Sequence, residues 1–572
     1  MNEPLWKLWR NPILRRFATA RLRWTGLLAW SVVLQALAAF FWLTIFYVYR
    51  HQQGFSTADS AVRAWSSILI MQGILWLMKG TFSVATGIAR EGVEGLTEAQ
   101  ILTPLSSWHK TVGYLLGLPI LETVLVLSLL PWTAVSVLFG HVPAAIVVRI
   151  HLLLGTAALL HHALGLVAGT VIRQKIVAGT VSQVIVILLH GVVPFFASLG
   201  LGPLGHLGVG SGISFELRPL LQNSSWRAVD PAMIYAFSHI RFFRWEFTLT
   251  GYQWSVMTIM LGVLLTILWR RWQRSTAHLF SKPMAVGFFA WILVLSLGEI
   301  VPRLQDPKFL QSRHLSGNAG VMQIAGASQP VIALLWAGGF GIVGLLTAML
   351  LSSSIAPTLD QHWRALRGAA RSARARVPWA DDARSAVPWS IALAGVLVAG
   401  WFYLVRQLFD TPLVRAIVTP LPAMPYLLGA AIVVPLLVWT ILLEWRGARF
   451  ASMAVFVVWV LPLMVAIVSI ISGVDPVGWP RWFFGASGLT LPFFALFESF
   501  GGLGKAFADA GKSHQVWMVS IISYSVLAVV FYVGLRRAQK PDLGAHVPAL
   551  PVGAVGLPQR GDAGAVVDSL SA

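Results

Sequence analysis

Residues 25–48 read TGLLAWSVVLQALAAFFWLTIFYV, twenty-four positions with no charge and no proline. As a helix rising 1.5 Å per residue the stretch is about 36 Å long, enough to cross a hydrocarbon core of roughly 30 Å. Eleven further runs of this kind follow, near 65–86, 112–138, 150–171, 176–199, 252–269, 284–301, 331–351, 389–408, 426–443, 453–471 and 516–535. The composition agrees: of 572 residues, 57% are hydrophobic and 11% are Asp, Glu, Lys or Arg, against roughly 25% charged in a soluble domain. The expected fold is therefore an all-α, polytopic helical membrane protein with about twelve transmembrane helices. With 42 basic and 22 acidic residues the net charge is +20. On a chain this apolar, that excess points to membrane topology and not to nucleic-acid binding. The absence of cysteine excludes disulfides, thiolate metal sites and Cys nucleophiles.

Basic residues are retained on the cytoplasmic side during insertion. Lys7, Arg10, Arg15, Arg16, Arg21 and Arg23, then Arg173 and Lys175, Arg270, Arg271, Arg274 and Lys282, the run from Arg364 to Arg384, Arg446 and Arg449, and Arg536, Arg537 and Lys540 fall on alternate loops. That pattern places both termini inside; the membrane is expected to be a bacterial inner membrane. Residues 1–24 carry Trp6, Trp9, Ile13, Leu14 and Phe17 at helical spacing between arginines. This is the pattern of an amphipathic helix lying in the interface, with a frayed basic leader as the plainer alternative. Residues 541–572, rich in Gly, Pro, Ala and Val, are expected to be a disordered tail.

The spans divide into two six-helix halves, 25–283 and 284–540. Each half ends in a long outside segment, a last span and a basic stop, Arg270-Arg271 or Arg536-Arg537, with a Pro-containing stretch, 229–235 or 491–495, before that last span. A parallel repeat would give this symmetry, although any twelve-span chain divides into six and six. The outside segments are expected to gate the outer mouth.

One inside segment stands apart. Residues 89–106 read AREGVEGLTEAQILTPLS. Glu91, Glu94 and Glu98 place acid on an otherwise basic face, as docking charge for a soluble partner would be placed; the plainer reading is a solvated helix face with Arg90 and Glu94 paired four residues apart. Pro104 lacks an N–H and restrains Leu102-Thr103 toward extended geometry, which would make the segment a stiff lever between two spans. The segment resembles the cytoplasmic coupling segment of the type-two ATP-binding-cassette exporter permeases. The likeness is carried by the Arg90-Glu91 pair, by Gly95-Leu96-Thr97-Glu98 in altered order, and most closely by Thr103-Pro104-Leu105-Ser106. It extends to the interfacial helix and the six-span first half. The second half matches poorly, because its corresponding loop, 352–388, is Arg/Ala-rich and has no Thr-Pro-Leu-Ser. The resemblance implies a fused two-half permease that transports and does not itself hydrolyse ATP. It implies a separate cytoplasmic ATPase subunit in two copies, which holds the ATP and Mg, with membrane lipids as the other partner. Arg90, Glu91, Glu94, Gly95, Glu98, Thr103, Pro104, Leu105 and Ser106 would form the coupling surface.

Residues 506–513, AFADAGKS, satisfy only the loosest phosphate-loop pattern. No strand precedes them and the expected topology puts them outside, so they are set aside. No catalytic residue, bound cofactor or metal ligand set is expected on this chain. Ionisable groups inside spans are functional candidates: Lys79, Glu122, His161, His162 and His190. Glu122 with the histidines would resemble a proton relay, and would make a twelve-span proton-coupled secondary transporter the alternative function. A structural polar knot is the reading preferred here, with Lys79 snorkelling or pairing with Glu122. Glu299 and Arg303, four apart, read as a structural pair, and Ala337, Gly338, Gly341 and Gly344 as a small-residue packing face.

Overall fold

A backbone in hydrocarbon finds no water to bond, so an apolar run of spanning length closes its N–H and C=O groups on itself as a helix. The computed structural model describes residues 10–193, 202–217, 220, 239–274, 277–305, 329–371, 378–410, 424–471, 487–498 and 510–539. Within them the chain is helical almost throughout, with a single two-stranded sheet. The main elements begin with α1 (Pro12–Arg21), α2 (Trp24–Gln52), α3 (Thr57–Val93), α4 (Leu96–Leu102), α5 (Ser107–Gly117), α6 (Ile120–Gly140), α7 (Ala144–Val171), α8 (Lys175–Gly191) and α9 (Gly210–Leu217). Strands β1 (His239–Phe242) and β2 (Trp245–Thr248) pair antiparallel, with Phe242 opposite Trp245, and lead into α10 (Leu249–Gln273). There follow α11 (Lys282–Gln305), α12 (Gln329–Ile355), α13 (Leu359–Arg371), α14 (Val387–Phe409), α15 (Met424–Arg446), α16 (Ala448–Val465), α17 (Leu491–Glu498) and α18 (Ala510–Gln539).

Eleven of these helices are long and apolar enough to cross a membrane. Each of the twelve expected spans except the third falls on one helix, and only α8 is short of spanning length within the described residues. The chain is an all-α polytopic membrane protein. Its outer surface agrees: Trp24 and Phe40 on α2 and Val529 on α18 are 74%, 62% and 63% exposed, which water would not tolerate over so wide a patch. Of the expected interfacial helix, residues 12–21 form α1, and residues 1–9 lie outside the described residues, as do 541–572, the stretch 229–235, residues 506–509 and the Arg303 side chain. The Pro-containing stretch 491–495 falls in α17.

The third expected span is not one continuous helix. Pro119 removes a donor, α5 stops at Gly117 and α6 restarts at Ile120, so Glu122 stands in the first turn of a helix and not at the centre of a span. A carboxylate there meets the positive end of the helix dipole.

Close helix approach depends on missing side chains. A Cβ on Gly165 of α7 would lie 2.9 Å from the Thr81 carbonyl oxygen of α3, and one on Gly169 would lie 2.5 Å from that of Ala85, closer than packed atoms allow. The small face of α12 does pack: a Cβ on Gly341 would meet the Trp401 ring of α14 at 2.9 Å. Buried apolar residues from α11 to α18 form one core around α15, whose Leu428, Ala431, Ile432 and Leu436 are fully enclosed. Those of α1 to α10 form others, which Leu295 of α11 joins.

Candidate functional site

The α3 helix runs on through Val93, and Gly95, at φ +73, turns the chain into α4. Only glycine takes that left-handed conformation without strain. Thr103 is extended at ψ 149 before Pro104, as the proline requires, and Ser106 caps α5 by accepting from the His109 N–H at 3.3 Å. Lys110 of α5 is buried, and its Nζ donates to the carbonyls of Ile101 and Thr103, both at 3.3 Å. A cation thus satisfies the open C-terminal end of α4. Burial pushes the Lys110 ammonium below its ordinary value.

The acids of the segment do not act together. Glu91 is buried, accepts from the Tyr114 hydroxyl of α5 and pairs with Arg16 of α1. It ties three helices, which corrects its expected place among the docking charges: a buried carboxylate spent on Tyr114 and Arg16 offers little to a protein in solution. Glu94 and Glu98 are exposed, Glu94 accepting from Arg90 Nε at 2.7 Å. Beside them an apolar ridge is exposed among the described residues, Val93 at 68% and Leu102 at 87%. Beneath it Glu98, Ile101, Arg173 and Arg271 line a cavity of about 120 Å³. The result is a short, braced helix that presents acid and apolar groups at one end of the bundle.

The intramembrane residues separate into two sites. Glu122 accepts from Ser83 Oγ at 2.7 Å and lies 3.9 Å from Arg21, whose NH1 donates to the Leu118 carbonyl. Lys79 does not pair with it; the Lys79 ammonium sits 4.7 Å from the centre of the Trp30 ring. Residues 74–80 of α3 form a π-helical turn, which frees carbonyls from the ordinary ladder. His162 Nε2 donates to the Trp76 carbonyl at 2.9 Å and Gln183 Nε2 to that of Met78 at 2.5 Å. His161 and His190 face each other with ring centres 5.1 Å apart, each Nδ1 donating to the carbonyl four residues back, of Ala157 and Val186. No hydrogen bond joins Glu122 to a histidine among the described residues, so the pieces of a relay are present but not assembled. No three His, Asp or Glu side chains converge as a metal site there either.

Two polar clusters had not been singled out. Arg149 of α7 donates two-pronged to Glu216 of α9, from Nε at 3.0 Å and NH2 at 2.8 Å, and Thr250 Oγ1 adds a bond at 2.7 Å. Arg149, an arginine within a span, was the available signal. The second cluster joins α10, α11 and the link 378–386. Arg270 donates to Asp382 at 3.0 Å, the His278 N–H to the same carboxylate at 3.1 Å, and fully buried Lys282 to the carbonyls of Asp381, Asp382 and Arg384. Glu444 of α15 accepts from the Ala386 N–H and from Ser385 Oγ, capping α14. Glu299 accompanies His206, 3.4 Å away.

Compared with known proteins, the chain matches no family model, no curated protein and no solved structure.

Proposed function

We propose that the chain is the membrane-spanning permease of an ATP-binding-cassette exporter, set in a bacterial inner membrane with both termini cytoplasmic. Residues 90–106 couple it to a separate ATPase subunit, present in two copies, that binds ATP and Mg. The observation that carries this reading is the braced α4 helix: Lys110 and the Glu91–Tyr114–Arg16 tie fix it to the spans, while Glu94, Glu98, Val93 and Leu102 face outward. A rigid lever with an exposed acid and apolar tip is what a soluble motor needs in order to move helices. The resemblance of Thr103-Pro104-Leu105-Ser106 to the exporter motif supplies the kind of motor. The proton-driven alternative would have to run through Glu122, which bonds Ser83, and through histidines that bond backbone carbonyls, with no described hydrogen bond between them.

The test is to purify the tagged chain from its native membrane in mild detergent and identify by mass spectrometry what comes with it. An ATPase subunit is expected in the wild type and absent from a Glu94→Lys, Glu98→Lys double variant. A single clean chain under several detergents would overturn the proposal.

A further inference from the structure

The block formed by α1, residues 81–93 of α3, α4 and α5 continues into the neighbouring spans at three points, and the helix is broken at each. Between α1 and α2, Leu22 and Arg23 leave helical geometry. The α3 helix opens into its π-helical turn over Ile74–Gly80, and α5 gives way to α6 across Pro119. Side-chain bonds set the three breaks at one level. Arg21 donates to the Leu118 carbonyl, Trp76 Nε1 to Thr123 Oγ1 at 3.1 Å, and Ser83 Oγ to Glu122 at 2.7 Å.

The packing divides at the same three points. Ile13 of α1, Leu77 and Val84 of α3, and Tyr114 and Leu118 share one buried core, against which Phe17 and Ile101 of α4 also pack. Leu34 of α2, Leu69 of α3 and Leu125 of α6 belong to another, against which Leu27, Leu75 and Leu121 pack. The chain therefore passes from one core to the other between Phe17 and Leu27, between Leu75 and Leu77, and between Leu118 and Leu121. Residues 57–73 of α3 accordingly pack on α2 and α6, and residues 81–93 on α7 and α8. A close-packed core resists internal deformation, so relative motion of two cores is absorbed by the few irregular residues that join them. A π-turn within a long helix is one such place.

The contacts across the breaks are few. Glu122, in the first turn of α6, is 2% exposed and takes one hydrogen bond from Ser83. Arg21 stands 3.9 Å from its other oxygen, which has no hydrogen bond among the described residues. A carboxylate accepts donors from several directions, so this contact can turn without being lost. The seat for residues 81–93 on α7 is formed by Gly165 and Gly169, which put no side chain in their way.

We infer that α1, residues 81–93 of α3, α4 and α5 move as one rigid lever about a hinge at residues 22–23, 74–80 and 118–119, with Glu122 as its pin. The hinge is a property of this chain by itself and stands whether or not α4 meets an ATPase.

The full chain in lipid nanodiscs, free of native cysteine, is spin-labelled at pairs of introduced cysteines, and distances are read by pulsed electron resonance. Leu102→Cys with Ile70→Cys spans the hinge, Leu102→Cys with Thr19→Cys lies within the lever, and Ile70→Cys with Leu138→Cys lies outside it. The two pairs that do not span the hinge are expected to give narrow distributions, and the spanning pair one about twice as wide or split in two. Glu122→Ala should widen the spanning distribution alone. Equal widths in all three pairs overturn the hinge. Widening of all three in Glu122→Ala, or of none, overturns the role of Glu122. If that variant does not fold, Glu122→Gln, which keeps the shape and removes the charge facing Arg21, is read in the same way.

Discussion

Two links meet at the end of α10 and are built in opposite senses. Arg271 and Trp272 line the cavity under α4, while Arg270, one residue away, grips Asp382 of the link 378–386. The first link is braced from below and shows its acids and apolar ridge to solvent. The second is drawn inward and spends its groups on the bundle: Lys282 takes three of its carbonyls and Glu444 caps the helix that follows. The contrast teaches that a charge at a membrane boundary is either a contact for something else or a fastener. Burial and partners, not residue type, decide which. By that criterion the first link is the surface we propose for a soluble partner, and the second is a joint between α10, α11, α14 and α15.

The contrast can be broken by mutation, and the largest effect is expected in the joint. Lys282→Met removes the shared donor from three carbonyls and should cost about 3–4 kcal/mol, measured as a drop in unfolding temperature in detergent. Glu91→Gln comes next. It keeps the shape but removes the charge between Tyr114 and Arg16, and because Arg16 is partly exposed the loss should be about 1–2 kcal/mol.

A pH effect follows from His278. Burial holds its ring below the ordinary histidine value, opposed by Asp382 alongside and reinforced by Lys282. The unfolded chain therefore takes up a proton near pH 6.5 that the folded chain refuses, so this group's contribution is intact above that value and is lost as pH falls. Unfolding temperature should fall between pH 7 and pH 5, and fall less in His278→Gln. The smallest effect is expected from Glu94→Ala, whose only described partner is the exposed Arg90: unfolding temperature should stay within error while partner binding weakens. A large loss of stability there would erase the distinction between the two links.

The spans were legible because hydropathy is local, and each expected run but the third coincides with one helix. The break at Pro119 was also written in the sequence, but an apolar run of 27 residues around it concealed a helix end. The site was legible in part. Pro104 acts on the local backbone, and Thr103 before it is extended as read, while Leu102 still closes α4. Glu91 was misread because its partners, Arg16 and Tyr114, are remote in sequence and only packing unites them. Lys282 looked like an ordinary basic residue at the end of a span, and its burial depends on a link a hundred residues away. His161 and His162 are neighbours, so a helix turns them about 100° apart and they meet different elements, α8 and α3. A single relay was therefore disfavoured by the spacing itself.

The most direct test uses the chain's lack of cysteine. Leu102→Cys places one thiol on the exposed ridge of α4, and intact cells or inverted membrane vesicles are treated with a membrane-impermeant maleimide, followed by a thiol crosslinker of short reach. The account expects labelling only from the cytoplasmic side and one crosslinked product containing an ATPase subunit, diminished by Glu94→Lys with Glu98→Lys. Labelling from the outside would contradict it.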